Sequence, residues 1–214
     1  MITIQSFVFN PFSENTYVLH DETKECIIID PGCCQQYEKL ELLEFISQNK
    51  LKPVKLLNTH CHIDHILGNN FVAKNFGLKL ETHREELFNL KHSVNAAELF
   101  GIGNFEPSPA PSVFLDESNT VEFGNSKLEI LFVPGHSPGH IALVNKKEKF
   151  VINGDVLFYG SIGRTDFPGC SHQALINSIR TKLFPLGDDF RIFTGHGPST
   201  NIGFEKKNNP FLQE

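Results

Sequence analysis

The chain has 214 residues, 40% of them hydrophobic and 21% charged, with a formal net charge of −6. Such a length and balance describe one globular domain, residues 1–214, with a core large enough to need no covalent staples. The acidic balance excludes a nucleic-acid partner, which would require a surplus of Lys and Arg to neutralise phosphates; the densest basic cluster, Lys146-Lys147-Glu148-Lys149, reads as a solvated turn.

Five cysteines, two of them adjacent at Cys33-Cys34, form no disulfide framework and point to reduced thiols. The segment Met1–Phe7 lacks the basic and apolar regions of a secretory signal, and no apolar run is long enough to span a bilayer. The expected location is therefore cytoplasmic, with no membrane partner. Aromatic content is carried by 20 Phe against 3 Tyr and no Trp, a pattern of core packing.

In chain order, strands are predicted at Ile2–Phe9 and Tyr17–His20 around a turn at Asn10-Pro11, then at Cys26–Asp30, an apolar run stopped by Pro31-Gly32. Glu38 to Gln48 carries Leu40, Leu43, Phe45 and Ile46 at helical spacing. Pro53 restarts the chain as a strand from Val54 that runs into a histidine-rich segment. A short helix (Gly68 to Phe76), a strand (Leu78–Glu81) and a longer helix (Arg84 to Phe100) follow. The Pro- and Gly-rich stretch from Gly101 to Pro111 reads as a join between two similar βα halves or as a flap beside a site. The second half holds strands at Thr120–Phe123, Lys127–Val133, Ile141–Asn145 and Phe150–Asn153, a helix at Gln173–Leu183 and a last strand at Arg191–Thr194. The pattern predicts an α/β protein whose sheets pack together with helices outside.

The chemistry concentrates in His60-Cys61-His62-Ile63-Asp64-His65, just after a predicted strand. Residues two apart on an extended chain face the same way, so His60 and His62 converge on one ion, while Asp64 and His65 in the turn beyond address a second. His136, Asp155 and His196 each stand just after a strand and beside a glycine, which permits the turn that aims a side chain over a sheet end. One histidine alone would read as core or surface; three strand-end residues joining a four-residue cluster read as a metal site. A closed structural zinc site would favour cysteines. Cys61 points to the opposite face and reads as packing, His140 as a hydrogen-bonding support, and His20, His83, His92 and His172 as ordinary surface or helix residues.

The set His60-x-His62-x-Asp64-His65, His136, Asp155 and His196 resembles that of the metallo-β-lactamase superfamily. The resemblance implies an αββα four-layer sandwich with two divalent metal ions, zinc or else iron or manganese. It puts His60, His62 and His136 on the first ion, Asp64, His65 and His196 on the second, and Asp155 as a bridge. Antibiotic-hydrolysing members commonly have a cysteine where Asp155 stands, and lactone-hydrolysing members a tyrosine where Phe158 stands. The short form of glyoxalase II (hydroxyacylglutathione hydrolase) is more similar, through Gly163-Arg-Thr-Asp-Phe-Pro-Gly169, Thr194-Gly-His-Gly-Pro-Ser-Thr200 and a terminal Asn209-Pro-Phe-Leu. Its long forms append a helical segment that recognises glutathione, whereas this chain ends about eighteen residues after His196. Cys170 stands where short members more often have glycine.

The resemblance therefore implies hydrolysis of S-acyl thioesters, small molecules of the S-lactoylglutathione type, by a hydroxide bridging two metals, with Asp64 orienting it. Arg164 is a candidate for binding a substrate carboxylate, or for an ion pair with Asp166; Tyr159 is a candidate for the same pocket, or a surface aromatic. The alternatives are a persulfide dioxygenase with a single iron on His60, His136 and Asp155, and a metal-binding module without catalysis.

Overall fold

The computed structural model describes residues 1–213, among which no helix is long and apolar enough to cross a membrane. The chain divides into two compact units: Met1–Leu115 with Glu122–Ser126, and Asp116–Val121 with Lys127 onward. The loop 101–111, read from the sequence as the join, belongs to the first unit, where Ile102 and Phe105 pack against Ile63, Ile66 and Leu67.

Unit 1 holds a six-stranded sheet in the order β1 (Thr3–Phe9), β2 (Glu14–His20), β3 (Glu25–Ile29), β4 (Lys52–Leu57), β5 (Leu80–Thr82), β6 (Val113–Phe114). The first three strands run antiparallel and the last four parallel, so β3 lies at the change of direction. Its run Cys26–Ile29 has no exposed surface, which is why it reads as a continuous apolar stretch and not as an alternation. Three helices belong to this unit: α1 (Gln36–Gln48), α3 (Asn69–Phe76) and α4 (Leu87–Leu99), with a single helical turn, α2 (Ile63–Ile66), before α3. Leu42 and Ile46 of α1 and Val72 of α3 pack on Phe7, Val18, Ile28 and Leu56 of the sheet.

The face of α1 differs from the one expected. Leu40 is exposed, and Glu38 takes an inward place because its carboxylate accepts hydrogen bonds from the backbone N–H groups of Asn10, Cys34 and Gln35 at 2.7, 2.7 and 2.8 Å. Likewise Pro53 lies inside β4 and does not precede it. It sits opposite Cys26 at a register shift, where the ladder has no use for the N–H that proline lacks.

Unit 2 holds a second six-stranded sheet in the order β14 (Thr200–Asn201), β13 (Arg191–Thr194), β10 (Phe150–Gly154), β9 (Ile141–Asn145), β8 (Ser126–Phe132), β7 (Thr120–Phe123), and a hairpin of β11 (Leu157–Phe158) and β12 (Ser161–Ile162). Leu175 of α5 (His172–Ser178), with Ile179 and Leu183 of the π-helical turn that continues it, packs on Ala142, Val144 and Val151. The chain does not close on β13 as the sequence suggested: β14 and α6 (Ile202–Asn208) follow, and Ile202 and Leu212 enter the same core. The terminal Asn209-Pro-Phe-Leu motif is thereby explained. Asn209 is fully buried and donates to the carbonyl of Ser161 and to Glu205, while Leu212 packs in the core.

One surface-turn carboxylate carries much of unit 1's tolerance to acid. Asp21 accepts from the N–H and hydroxyl of Thr23, the N–H of Asn125 and the hydroxyl of Ser126. Burial alone would raise its pKa, but these four donors outweigh it and hold the carboxyl at about 2 against an ordinary 3.8. A carboxyl depressed in the folded state adds stability that is complete above the unfolded pKa and is lost as pH falls through the folded one. Asp21→Asn is therefore expected to cost on the order of 2 kcal/mol at neutral pH. The gap to the parent protein, measured by urea unfolding, narrows between pH 5 and pH 2; a constant gap across that range would refute the assignment.

Candidate metal centre

In unit 1, β4 delivers the chain into Asn58-Thr59-His60 and the turn α2. His62 is the residue that caps α2, so Asp64 and His65 lie on a helical turn and not on an extended continuation. The His60 ring centroid is 4.9 Å from that of His62 and 4.1 Å from that of His65, and Asp64 Oδ2 is 3.7 Å from His65 Nε2. His60 and His65 have no exposed surface, whereas the Asp64 side chain is partly open.

Beneath this run lies a carboxylate that sequence reasoning missed. Asp30 accepts from the N–H of Thr59 at 2.7 Å, the hydroxyl of Thr59 at 2.5 Å and the amide of Asn58 at 3.3 Å. Its Oδ2 also faces His65 Nδ1 at 3.3 Å. The hydroxyl of Thr59 has one hydrogen, and Asp30 takes it. The 3.1 Å contact of that oxygen with His60 Nδ1 must then be donated by the imidazole. Both histidines therefore carry their proton on Nδ1 and present Nε2 as the lone-pair nitrogen, the tautomer of a metal ligand with a supported outer nitrogen. Asp30, His60 and His65 also present one donor atom each within 4.8 Å of one another. The signal was present in Asp30-Pro31-Gly32: Asp30 adopts a left-handed φ of 48°, a strain that short polar residues tolerate and that concentrates at functional sites. Gly32 has no substitute, since a Cβ there would overlap Glu14 Oε2 and crowd Asn10 Nδ2 and the Asp64 carbonyl.

Glu14 and Glu86 are buried beside the same run. Burial, only partly offset by His65, pushes the Glu14 carboxyl well above the usual range. Glu86 accepts from the N–H of Cys61 at 2.7 Å and from Asn89. Cys61 itself is buried against Thr82, and burial with the Glu86 charge drives its thiol well above its ordinary pKa. A thiol held protonated is not a metal ligand, so Cys61 packs as expected.

In unit 2, Asp155 follows β10 and one of its oxygens, Oδ2, lies 3.5 Å from both His136 Nε2 and His196 Nε2. His136 Nδ1 is bonded at 2.8 Å to the carbonyl of Arg164, which only a protonated nitrogen can do, so Nε2 is again the lone-pair atom. His140 Nε2 accepts from the N–H of Asp155 at 3.1 Å, a supporting contact that occupies the nitrogen a ligand would need. Asn153 fixes the turn, donating to the carbonyls of Gly154 and Leu157 and accepting from the N–H of Leu157. Gly163 admits the close crossing: a Cβ there would overlap the Asp155 carbonyl and approach His136 Nδ1 to 3.0 Å.

The two residues expected to touch substrate sit differently. The Arg164 guanidinium makes a two-pronged pair with Asp166 at 3.0 and 2.8 Å, is 64% exposed and lies over Phe167, and its part in the site is played by its carbonyl. Tyr159 is exposed and stacks on Phe204. Cys170 donates its thiol hydrogen to the His136 carbonyl at 2.7 Å, a contact that glycine cannot make.

The metallo-beta-lactamase superfamily profile matches residues 9–196, a span that includes every one of these histidines and carboxylates. The chain belongs to that superfamily. Hydroxyacylglutathione hydrolase GloC of Haemophilus influenzae is 37% identical over 212 residues, covering 99% of this chain and 98% of its own. Among solved structures, the BLEG-1 B3 metallo-beta-lactamase superposes with a TM-score of 0.89 at 33% identity, covering 99% of this chain and all of that one. TTHA1623 in a di-iron-bound form gives 0.87 at 33% identity, covering 97% of this chain and all of that one. The superfamily fold, mixed α/β with sheets flanked by helices, is the one expected from the sequence, and it implies divalent-metal binding and a metallo-hydrolase.

If Asp30 aligns the imidazoles, weakening it must weaken the metal. Asp30→Asn is expected to lower metal affinity about 10–100-fold with the fold retained. Competition against a chelator, read beside circular dichroism, measures this; unchanged affinity would show that Asp30 serves folding alone.

Proposed function

We propose that His60, His62 and His136 hold one divalent cation and Asp64, His65 and His196 a second, with Asp155 bridging, in a hydrolase that cleaves S-acyl thioesters. The donor set fits such ions: imidazoles presenting Nε2, balanced by carboxylates, accept zinc, iron or manganese. What supports the reading most is Asp155, a carboxylate oxygen set equally from His136 and His196. Bound divalent cations supply a water acidified enough to be a nucleophile at neutral pH and polarise a carbonyl oxygen.

The chain's own residues then do the rest. The Asp64 carboxylate orients the attacking water and takes its proton. The Asp30–Thr59 pair and the Arg164 carbonyl hold His60, His65 and His136 in single tautomers, so no ring must turn during turnover. Water adds its oxygen to the acyl carbon, the carbon–sulfur bond breaks, and the sulfur leaves as a thiolate that later recovers the proton from Asp64. A thiol with a pKa of about 8.5 departs without a general acid. A small-molecule thioester of the hydroxyacylglutathione kind is the substrate class that the similarity to GloC favours.

The purified protein is expected to hold two metals per chain by elemental analysis and to release thiol from S-lactoylglutathione. Asp64→Asn is expected to lower turnover about 10²–10⁴-fold, and His60→Ala and Asp155→Ala to lose metal as well as activity. Hydrolysis of a chromogenic cephalosporin without thiol release would move the substrate to β-lactams. Oxygen uptake with glutathione persulfide at one iron per chain would overturn the hydrolase reading.

A further inference from the structure

Unit 1 carries a cleft of about 380 Å³ beside the ligand run, a size suited to a small organic ligand. Leu67, two residues after His65, lines it, as does Pro11, whose neighbour Asn10 donates to the Asp64 carbonyl. One wall is the start of α1 with Gln35, Gln36 and Lys39; the opposite wall is the loop 101–106. The first wall is built in advance of any ligand. The buried Glu38 fastens Asn10, Cys34 and Gln35 by their N–H groups, so the turn at Asn10 and the start of α1 share one anchor.

The charges in the cleft do not cancel. Glu106 is bonded by Lys74 at 2.8 Å and by Asn70. Lys39 is half-buried, its ammonium lies 5.5 Å from the Phe71 ring centroid, and among the described residues no carboxylate pairs with it. One ammonium over an aromatic face, next to the side-chain amides of Gln35, Gln36 and Asn104, calls for a ligand with a carboxylate and several amide groups. The apolar floor of Leu67, Phe71, Ile102 and Phe105 admits the short aliphatic links between such groups. The Cys34 thiol also faces the cleft, and burial with the Glu38 charge raises its pKa, so it lines the cleft as a neutral group.

We propose that this cleft receives the carboxylate-bearing, amide-rich end of a peptidic thiol. That this thiol is the leaving half of the substrate rests on the thioester reading above; that the cleft binds it through Lys39 does not. Binding is tested first without chemistry, by titrating S-methylglutathione into the metal-loaded full chain and following it calorimetrically. Saturable binding is expected, weakened about tenfold in Lys39→Met and unchanged in Lys147→Met, a control in an exposed turn. Absence of saturable binding in the millimolar range overturns the proposal, as does binding that Lys39→Met leaves intact. Turnover is tested next with two lactoyl thioesters, one of glutathione and one of N-acetylcysteamine, which has no carboxylate. Lys39→Met is expected to raise KM for the first about tenfold more than for the second; equal changes overturn the cleft's role. A chain that binds S-methylglutathione through Lys39 yet cleaves neither thioester refutes the hydrolase reading and leaves the cleft assignment standing.

Discussion

A carboxylate without exposed surface must be satisfied by its neighbours or take up a proton, because an isolated charge in a protein interior is not tolerated. Asp30 meets that demand with three donors from Asn58 and Thr59, and in doing so ties the end of β3 to the segment leaving β4. The ligand run of unit 1 depends on this tie. Because Asp30 takes the only hydrogen of the Thr59 hydroxyl, the tautomer of His60 follows, and because Oδ2 also faces His65, the orientation of the second ring follows too. The left-handed backbone at Asp30 is the local cost, and the surrounding sheet holds it in place.

Unit 2 reaches the same end by a different device. A main-chain carbonyl, that of Arg164, orients His136 where unit 1 uses a carboxylate and a hydroxyl. The carbonyl is in place because the hairpin β11–β12 returns the chain past Asp155, and that hairpin is pinned from the C-terminus. The buried Glu205 accepts from the N–H of Gly160, and Asn209 donates to the carbonyl of Ser161. A C-terminal motif with no reacting group thus acts on the site through packing and hydrogen bonds alone. Such outer supports are conveyed by the fold and are invisible to any search for ligand residues.

That contrast marks what the sequence makes legible. Ligand residues are legible because few side chains bind metal and their placement after strands follows from glycines and strand ends; His60, His136 and Asp155 are recognised without coordinates. Strands with clear apolar runs, such as Ile141–Asn145, are legible for the same reason. Asp30 is not, because an acidic residue before Pro-Gly reads first as a turn former. The inward face of α1 is misread because Glu38 is polar by type yet buried by function, and hydrophobic spacing cannot see a carboxylate whose partners are backbone N–H groups from a distant turn. Pro53 is misread because a register shift, a property of the partner strand, removes the usual objection to proline. The loop 101–111 is misread as a join because composition marks irregular backbone without saying which core it covers.

Similarity of a third or more of the residues to chains described as a hydroxyacylglutathione hydrolase and as a B3 metallo-beta-lactamase shows how little the fold alone decides. Both reactions begin with attack of water on a carbonyl carbon, and they part at the leaving group. A lactam nitrogen is a poor leaving group until it is protonated, whereas a thiolate is stable near neutral pH. The side chains nearest in sequence to Asp155 that might serve as an acid are otherwise engaged: Tyr159 stacks on Phe204 at the surface, and Arg164 is paired with Asp166. A site that supplies a nucleophile and a proton acceptor, with no side chain assigned to deliver a proton, suits a sulfur leaving group better than a nitrogen one. Discrimination among thioesters then falls to the walls beside the ligand run, where a rigid anchor such as Glu38 can position a charge without taking part in the chemistry.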